Sequence, residues 1–304
     1  MNIIKITPQG FCKGVINSIR MVNELLENSN TKKPIYMLGS LVHNRHITKA
    51  FEEKGIIVLN HKSRLELLDE IDSGTVIFTA HGVSDLVRTK AQEKGLDIVD
   101  ATCRDVSKSQ LMIKNKIKEG YRILFYGQKN HPEAESALSI SSHIFLVDDQ
   151  TKLDELPDYQ GKIILTTQTT MPYTNVLKIY QFLLEKHPQL ELLEEICNAT
   201  LKRQSAVIDQ AGKLDLLIVV GDPLSNNTKM LKEVGEKQAH LKTIMIGSVE
   251  DLKGFDFSPY KNIGITAGAS TPDAIVEEII HKLSSQEKDF TTSLTSDDYL
   301  QKKR

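Results

Sequence analysis

The sequence predicts an α/β protein of three similar units whose parallel sheets surround one central cavity, and three observations carry that prediction. Cysteine occurs only at Cys12, Cys103 and Cys197, 91 and 94 residues apart, so these residues divide the chain into near-equal thirds. Apolar residues at helical spacing follow each cysteine. Six short apolar runs then pass directly into polar turns, as strands do in α/β sheets that bind ligands at their carboxyl ends.

The elements follow in chain order. After Cys12, Val15, Ile19, Val22 and Leu26 share one helical face. The run from Ile35 to Leu38 reads as a buried parallel strand closed by Gly39, and His43 stands four residues beyond that glycine. A second strand at Val76-Ile77-Phe78 runs into Thr79-Ala80-His81-Gly82. After Cys103, Val106, Ile113 and Ile117 mark a helix, and the strand from Ile123 to Tyr126 ends at Gly127, four residues before His131. Ile163-Ile164-Leu165 leads to Thr166-Thr167-Gln168-Thr169-Thr170. After Cys197, the expected apolar face is Leu201, Ile208 and Ala211. The strand from Leu216 to Val220 ends at Gly221, four residues before Ser225, and Ile263-Gly264-Ile265 leads to Thr266-Ala267-Gly268-Ala269-Ser270. Gly39 to His81 spans 42 residues, as does Gly127 to Thr169, and Gly221 to Ser270 spans 49. Helical patterns over 226–239 and 272–283 alternate with the strands, which favours parallel sheets. Residues 148–157 and 248–258 read as surface loops or short connections, and 284–304 as a polar, mobile tail.

Composition narrows the function. At 304 residues, 40% apolar and 26% charged, the chain has ordinary globular composition. A net charge of -2 leaves no basic footprint for nucleic acid or an acidic membrane. The first residues lack the pattern of a signal peptide, and no apolar run approaches the ~20 residues of a membrane helix. Few cysteines and no export signal point to a reducing cytoplasm, where thiols are free for metal or chemistry.

An odd number of cysteines cannot pair completely into disulfides. Each alone reads as a buried structural thiol, but their even spacing suggests convergence on one point. Structural zinc normally takes four ligands, and no C-x-x-C pair is present. A catalytic zinc with three cysteines remains open. So does an iron–sulfur cluster, which accepts thiolates distant in sequence and, with only three, leaves one iron free. His43, His81 and His131 follow strands and offer donors to an anion. In His131-Pro132-Glu133 the carboxylate suits a first helical turn and, beside a cavity of low dielectric, also suits proton donation. Ser225-Asn226-Asn227-Thr228 and the turn ending in Ser270 precede helices, where Ser and Asn serve as N-caps or the exposed N–H groups of the helix start bind phosphate. Neither a P-loop nor a dinucleotide fingerprint occurs, so electrons for any reduction are expected from a partner.

These residues resemble the 4-hydroxy-3-methylbut-2-enyl diphosphate reductases. The resemblance runs over about residues 1–283 through Gly10-Phe11-Cys12-Lys13-Gly14-Val15, Val42-His43-Asn44, Ala80-His81-Gly82-Val83-Ser84, Asp100-Ala101-Thr102-Cys103, His131-Pro132-Glu133, Thr167-Gln168-Thr169-Thr170, Cys197-Asn198-Ala199-Thr200 with Arg203-Gln204, and Gly264 to Ser270. It implies a three-lobed trefoil of pseudo-threefold related α/β domains, here expected at 13–103, 104–197, and 1–12 with 198–283. It implies reductive dehydroxylation of an allylic diphosphate to isopentenyl and dimethylallyl diphosphate, the last step of the non-mevalonate isoprenoid pathway. A [4Fe–4S] cluster on Cys12, Cys103 and Cys197 and electrons from ferredoxin or flavodoxin are further implications. Carried onto this chain, His43, His81, His131, Thr169, Thr200, Ser225, Asn226, Asn227 and Ser270 bind substrate. Glu133 relays protons, with His131 and Thr169 beside it as catalytic residues. The chain departs from the family pattern at Asp222-Pro223-Leu224, Asn130, Asn198 and Asn226, the last standing where the family usually has a serine. Two other classes fit parts of the pattern: an iron–sulfur hydro-lyase without net reduction, and a non-enzymatic metal or diphosphate sensor on the same fold.

Overall fold

The computed structural model describes residues 1–157, 159–285 and 289–301. Strand β1 (Asn2–Lys5) opens the chain. Strands β2 (Ile35–Leu38), β3 (Ile56–Leu59), β4 (Thr75–Phe78) and β5 (Asp97–Asp100) form a parallel sheet in the order β3-β2-β4-β5. Strands β6 (Arg122–Tyr126), β7 (Ile144–Val147), β8 (Ile163–Thr167) and β9 (Leu190–Leu192) repeat it as β7-β6-β8-β9. In the third sheet β10 (Leu216–Val220), β11 (Thr243–Ile246) and β12 (Asn262–Ala267) give the order β11-β10-β12-β1, also parallel. The chain's first strand thus takes the place that β5 and β9 hold in the other sheets.

Each sheet is covered on both faces, as parallel sheets require. Met37 and Ile77 pack with Val15, Ile19, Val22 and Phe51 on one side, while Val76 and Phe78 pack with Leu67 and Val87 on the other. The second sheet divides in the same way around Leu124 and Leu165 against Val176 and Leu183, and around Ile123 and Phe125 against Ile113. In the third, Ile218 and Ile265 face Ile275 and Ile279, while Leu217 and Val219 face Val207, Leu231 and Val234.

The helices at 226–239 and 272–283 are observed as Asn226–Lys237 and Asp273–Ser285. The expected loops at 148–157 and 248–258 contain short 3-10 turns at Leu153–Glu155 and Val249–Leu252. Two expectations are corrected. The helix after Cys197 ends at Ile208, which is 37% exposed, and Ala211 lies beyond it. This helix instead buries Thr200, Arg203, Gln204 and Val207, because its inward face meets polar partners as well as the core. The polar stretch after residue 284 is also not free of the fold. Glu278 accepts hydrogen bonds from Thr292 and Ser293, a helix forms over Ser296–Leu300, and Leu300 enters the core beside Phe11 and Val15. Tyr299 sits 4.8 Å from the His46 ring and Lys54 pairs with Asp297, so two sparse apolar residues suffice to anchor the segment. Residues 286–288 and 302–304 of that expected tail lie outside the described residues. Among the described residues no helix is long and apolar enough to cross a membrane.

Candidate active site

The repeat explains how the three cysteines meet. Each follows the outermost strand at one edge of a sheet (β1, β5 or β9) and stands at the N-cap position of the next helix, Lys13–Glu27, Arg104–Lys118 or Asn198–Ile208. Each cysteine N–H donates to a carbonyl in the turn after the neighbouring inner strand. The pairs are Cys12 to Ala269 at 3.2 Å, Cys103 to Ala80 at 2.9 Å and Cys197 to Thr169 at 3.1 Å. Equivalent bonds in equivalent places bring the thiols to the centre. All three are free and line one cavity of about 540 Å³.

The surroundings of the thiols suit a soft cation. The Val15 N–H points at Cys12 Sγ at 3.5 Å and the Thr200 N–H at Cys197 Sγ at 3.4 Å, so helix N-termini face the sulfurs and favour negative charge there. Gly14 lies so close that an added Cβ would stand 2.5 Å from Cys103 Sγ. Burial pushes the Cys103 thiol up to about 11 and raises Cys197 as well, so a bound metal would have to supply the charge that keeps them as thiolates. Three converging thiols, helix N–H donors and a glycine-lined approach fit a three-cysteine metal centre.

All six turns that follow inner strands reach the same cavity. His43, His81, His131, Thr169, Ser225 and Ser270 line it, as do Glu133, Thr200, Asn226 and Asn227. His43 and His81 stack with ring centroids 4.3 Å apart, and His131 stands edge-on at 5.2 and 5.4 Å from them. Burial, reinforced by the Arg64 charge, brings His43 to about 4 and His131 to about 3, and holds His81 well below its usual range. All three rings are therefore neutral at pH 7 without a ligand.

Three histidines whose ligand atoms lie within 4.8 Å of one another also resemble a metal site. The hydrogen bonding of His131 argues against it. Its Nδ1 accepts the Glu133 N–H at 3.1 Å, so the neutral ring carries its proton on Nε2 and turns a donor outward. His43 Nε2 and His81 Nδ1 are buried without partners. Orphaned ring nitrogens beside a fixed N–H donor suit an oxyanion better than a cation.

The third unit adds neutral donors. Ser270 Oγ lies 3.2 Å from Ser225 Oγ and donates to the His43 carbonyl at 3.2 Å. Asn227 Oδ1 accepts the Ala269 N–H, while its Nδ2 donates to Thr200 Oγ1 at 3.3 Å. Thr200 Oγ1 in turn lies 3.1 Å from Cys197 Sγ, so Thr200 belongs to the thiol surroundings as much as to the anion side. Asn226 Nδ2 donates to Thr170 Oγ1 at 2.7 Å, and its Oδ1 is buried without a partner. Asp222 accepts the Arg45 N–H at 2.9 Å and the Leu224 N–H at 2.8 Å, which ties the third unit to the helix Arg45–Glu53 just after His43.

Glu133 is buried in the first turn of helix Pro132–Leu138. Its Oε1 accepts the Thr169 N–H at 2.8 Å and its Oε2 lies 3.1 Å from Thr169 Oγ1. Burial outweighs these bonds and raises the carboxyl to about 7. Sequence patterns single out each of these groups but not Arg64, a basic residue in a charged surface-like stretch whose side chain turns inward to the turns of β2 and β4.

Comparison with known proteins adds independent information. The sequence pattern of a family described as LytB protein matches residues 3–284. The chain is 46% identical over 281 residues to a 4-hydroxy-3-methylbut-2-enyl diphosphate reductase of Halalkalibacterium halodurans, covering 92% of this chain and 90% of that protein. It is 44% identical over 290 residues to the reductase of that name from Bacillus pumilus, covering 95% and 92%. A solved structure of the E-1-hydroxy-2-methyl-but-2-enyl-4-diphosphate reductase from Plasmodium falciparum superposes with a TM-score of 0.87 at 31% identity, over 95% of this chain and 90% of that one. A second solved structure, of an (E)-4-hydroxy-3-methyl-but-2-enyl diphosphate reductase, gives 0.63 at 27% identity, over 94% and 100%.

Proposed function

This chain belongs to the LytB family, and from that premise we propose that it is a 4-hydroxy-3-methylbut-2-enyl diphosphate reductase, forming isopentenyl and dimethylallyl diphosphate in the last step of the non-mevalonate isoprenoid pathway. The observation that carries the reading is one cavity lined by three free cysteines, three neutral histidines and a buried carboxyl with a raised pKa. Cys12, Cys103 and Cys197 would hold a [4Fe–4S] cluster, which would pass electrons to the substrate and act as a Lewis acid at its hydroxyl. As the family resemblance implies, ferredoxin or flavodoxin delivers those electrons, and the protein works in the cytoplasm.

The chain's own groups divide the remaining work. His43, His81 and His131, with Ser225, Asn227 and Ser270, bind the diphosphate by hydrogen bonds. Asn226 joins them when its amide is turned over. Thr170 Oγ1 already accepts from Gln168 Nε2 at 2.9 Å, so its hydroxyl proton is free to bond Asn226 Oδ1 and release Nδ2 to the anion. A protonated Glu133 donates through Oε2 to Thr169 Oγ1, and the Thr169 hydroxyl then turns its own proton into the cavity. That two-residue relay places a proton at the substrate hydroxyl, which leaves as water when the C–O bond breaks and two electrons from the external donor enter the allylic group; a second proton then adds to carbon to give either olefin. Burial serves the relay twice, by keeping Glu133 protonated near neutrality and by excluding bulk water.

The test is product formation by the anaerobically prepared protein with and without a reductant such as dithionite plus methyl viologen. Both olefinic diphosphates are expected, and only with the reductant. Substrate conversion without reductant would instead identify a hydro-lyase.

A further inference from the structure

Arg64 is half-buried and turned inward, and its positive charge has no carboxylate in ion-pair distance among the described residues. Its Nη1 donates to the Gly82 carbonyl at 2.8 Å, its Nη2 to Thr79 Oγ1 at 3.1 Å and its Nε to the Leu38 carbonyl at 3.3 Å. These acceptors are neutral and lie at the carboxyl ends of β2 and β4, the strands that present His43 and His81. Burial lowers the guanidinium to about 10, so it stays charged at neutral pH, and Glu135, the acid whose field reaches it, is exposed. Arg64 is not among the residues lining the cavity, yet its charge acts on all three histidines.

A charge drawn partly out of water without a counter-ion is costly to the fold. The arrangement makes sense if the counter-ion arrives with the ligand. We propose that Arg64 is a positioning residue for the anionic substrate: fixed behind the His43–His81 pair by Leu38, Thr79 and Gly82, its guanidinium supplies a formal positive charge that the diphosphate meets through the layer of neutral histidines. Lys13 and Lys202 also line the cavity, but both are exposed and water screens them; the buried Arg203 lines it too, but it is tied to the Ala199 and Gly10 carbonyls and its charge faces Cys12 and Cys197. The Arg64 guanidinium, hydrogen-bonded behind the His43–His81 pair, acts on the anion through protein and is screened less than the two lysines. With the histidines neutral, hydrogen bonds give the anion its orientation and Arg64 gives the site its preference for charge.

This rests on the reading of the cavity as a diphosphate site, and the experiment separates the two. Equilibrium binding of inorganic pyrophosphate and of orthophosphate is measured on the anaerobically prepared, cluster-loaded protein and on Arg64→Gln and Arg64→Lys. Arg64→Gln keeps amide donors and loses the charge, whereas Arg64→Lys keeps the charge and loses the fork. Pyrophosphate affinity is expected to fall about tenfold or more in Arg64→Gln, to stay within about threefold in Arg64→Lys, and to fall less for orthophosphate, which carries less charge. Wild-type binding of pyrophosphate unchanged in a folded Arg64→Gln variant overturns the proposal and leaves the site standing. Equal losses in both variants overturn it too, by making Arg64 a brace for the turns. If Arg64→Gln does not fold, Arg64→Lys decides alone: near-wild-type affinity supports the charge and a tenfold loss contradicts it. No pyrophosphate binding by the wild-type protein contradicts the diphosphate reading itself.

Discussion

Replacing Glu133 by Gln is expected to lower turnover by about 100-fold or more while cluster content and substrate affinity stay near wild type. The amide is isosteric. Its oxygen still accepts the Thr169 N–H, and its NH2 meets Thr169 Oγ1, so the local geometry of the bonds at 2.8 and 3.1 Å survives. What disappears is the titratable proton. Turnover near wild type in Glu133→Gln, measured with saturating reductant, removes Glu133 from the proton relay. The pH profile carries the same signature. With the carboxyl raised to about 7, its protonated fraction declines as pH rises through 7, so the wild-type rate falls on that limb. Stability changes with the same sign. Between the ordinary value of 4.5 and about 7, the folded protein binds more protons at this site than the unfolded chain, so stability falls as pH rises across that window and the loss is complete above it. Glu133→Gln removes the loss, and its melting temperature relative to wild type is expected to climb between pH 5 and pH 8.

Cys103→Ser is expected to abolish both cluster and activity without unfolding the chain. Cys103 N–H still holds the Ala80 carbonyl, and the serine hydroxyl caps the helix Arg104–Lys118 at least as well as the thiol, which makes no capping bond there. The hydroxyl is a poor ligand for a soft metal centre, however, and two remaining thiolates leave the cluster under-ligated. Anaerobic reconstitution of Cys103→Ser followed by visible absorption and circular dichroism checks this. A folded variant retaining wild-type colour and turnover contradicts the assignment of Cys103 as a ligand.

The parts of the fold legible in the sequence share a physical cause. The six runs read as strands are β2, β4, β6, β8, β10 and β12, the two inner strands of each sheet. Covered on both faces, they are almost continuously apolar and buried. The outer strands β1, β3, β5, β7, β9 and β11 are only partly buried, and residues such as Asp97, Asp100 and Glu191 interrupt their apolar pattern. The same logic explains the helix after Cys197, where Arg203 and Gln204 occupy buried positions that periodicity assigns to apolar residues. Arg203 donates from Nη1 and Nη2 to the carbonyls of Ala199 and Gly10 while its Nε stays without a partner, and Gln204 is satisfied by the Tyr173 N–H and the Met171 carbonyl. Docking of Tyr299 and Leu300 escapes pattern reading because so short a segment shows no periodicity.

The site was more legible than the fold around it. Its side chains fall in turns after strands that are easy to recognise, at offsets that repeat. What one-dimensional patterns do not show is how each group is held: the proton pinned on His131 Nε2 by a backbone N–H, Thr200 shared between Asn227 and Cys197, and Arg64 turned inward from the next element. Those relations join residues far apart in the chain and emerge only when the sheets are placed together.

The most direct test of the central claim, that three thiols from three edges of the repeat hold one shared cluster, is a count of iron and acid-labile sulfide in the anaerobically reconstituted wild-type protein. The account predicts a brown protein with about four of each per chain. A colourless protein that binds a single zinc and no sulfide would contradict it.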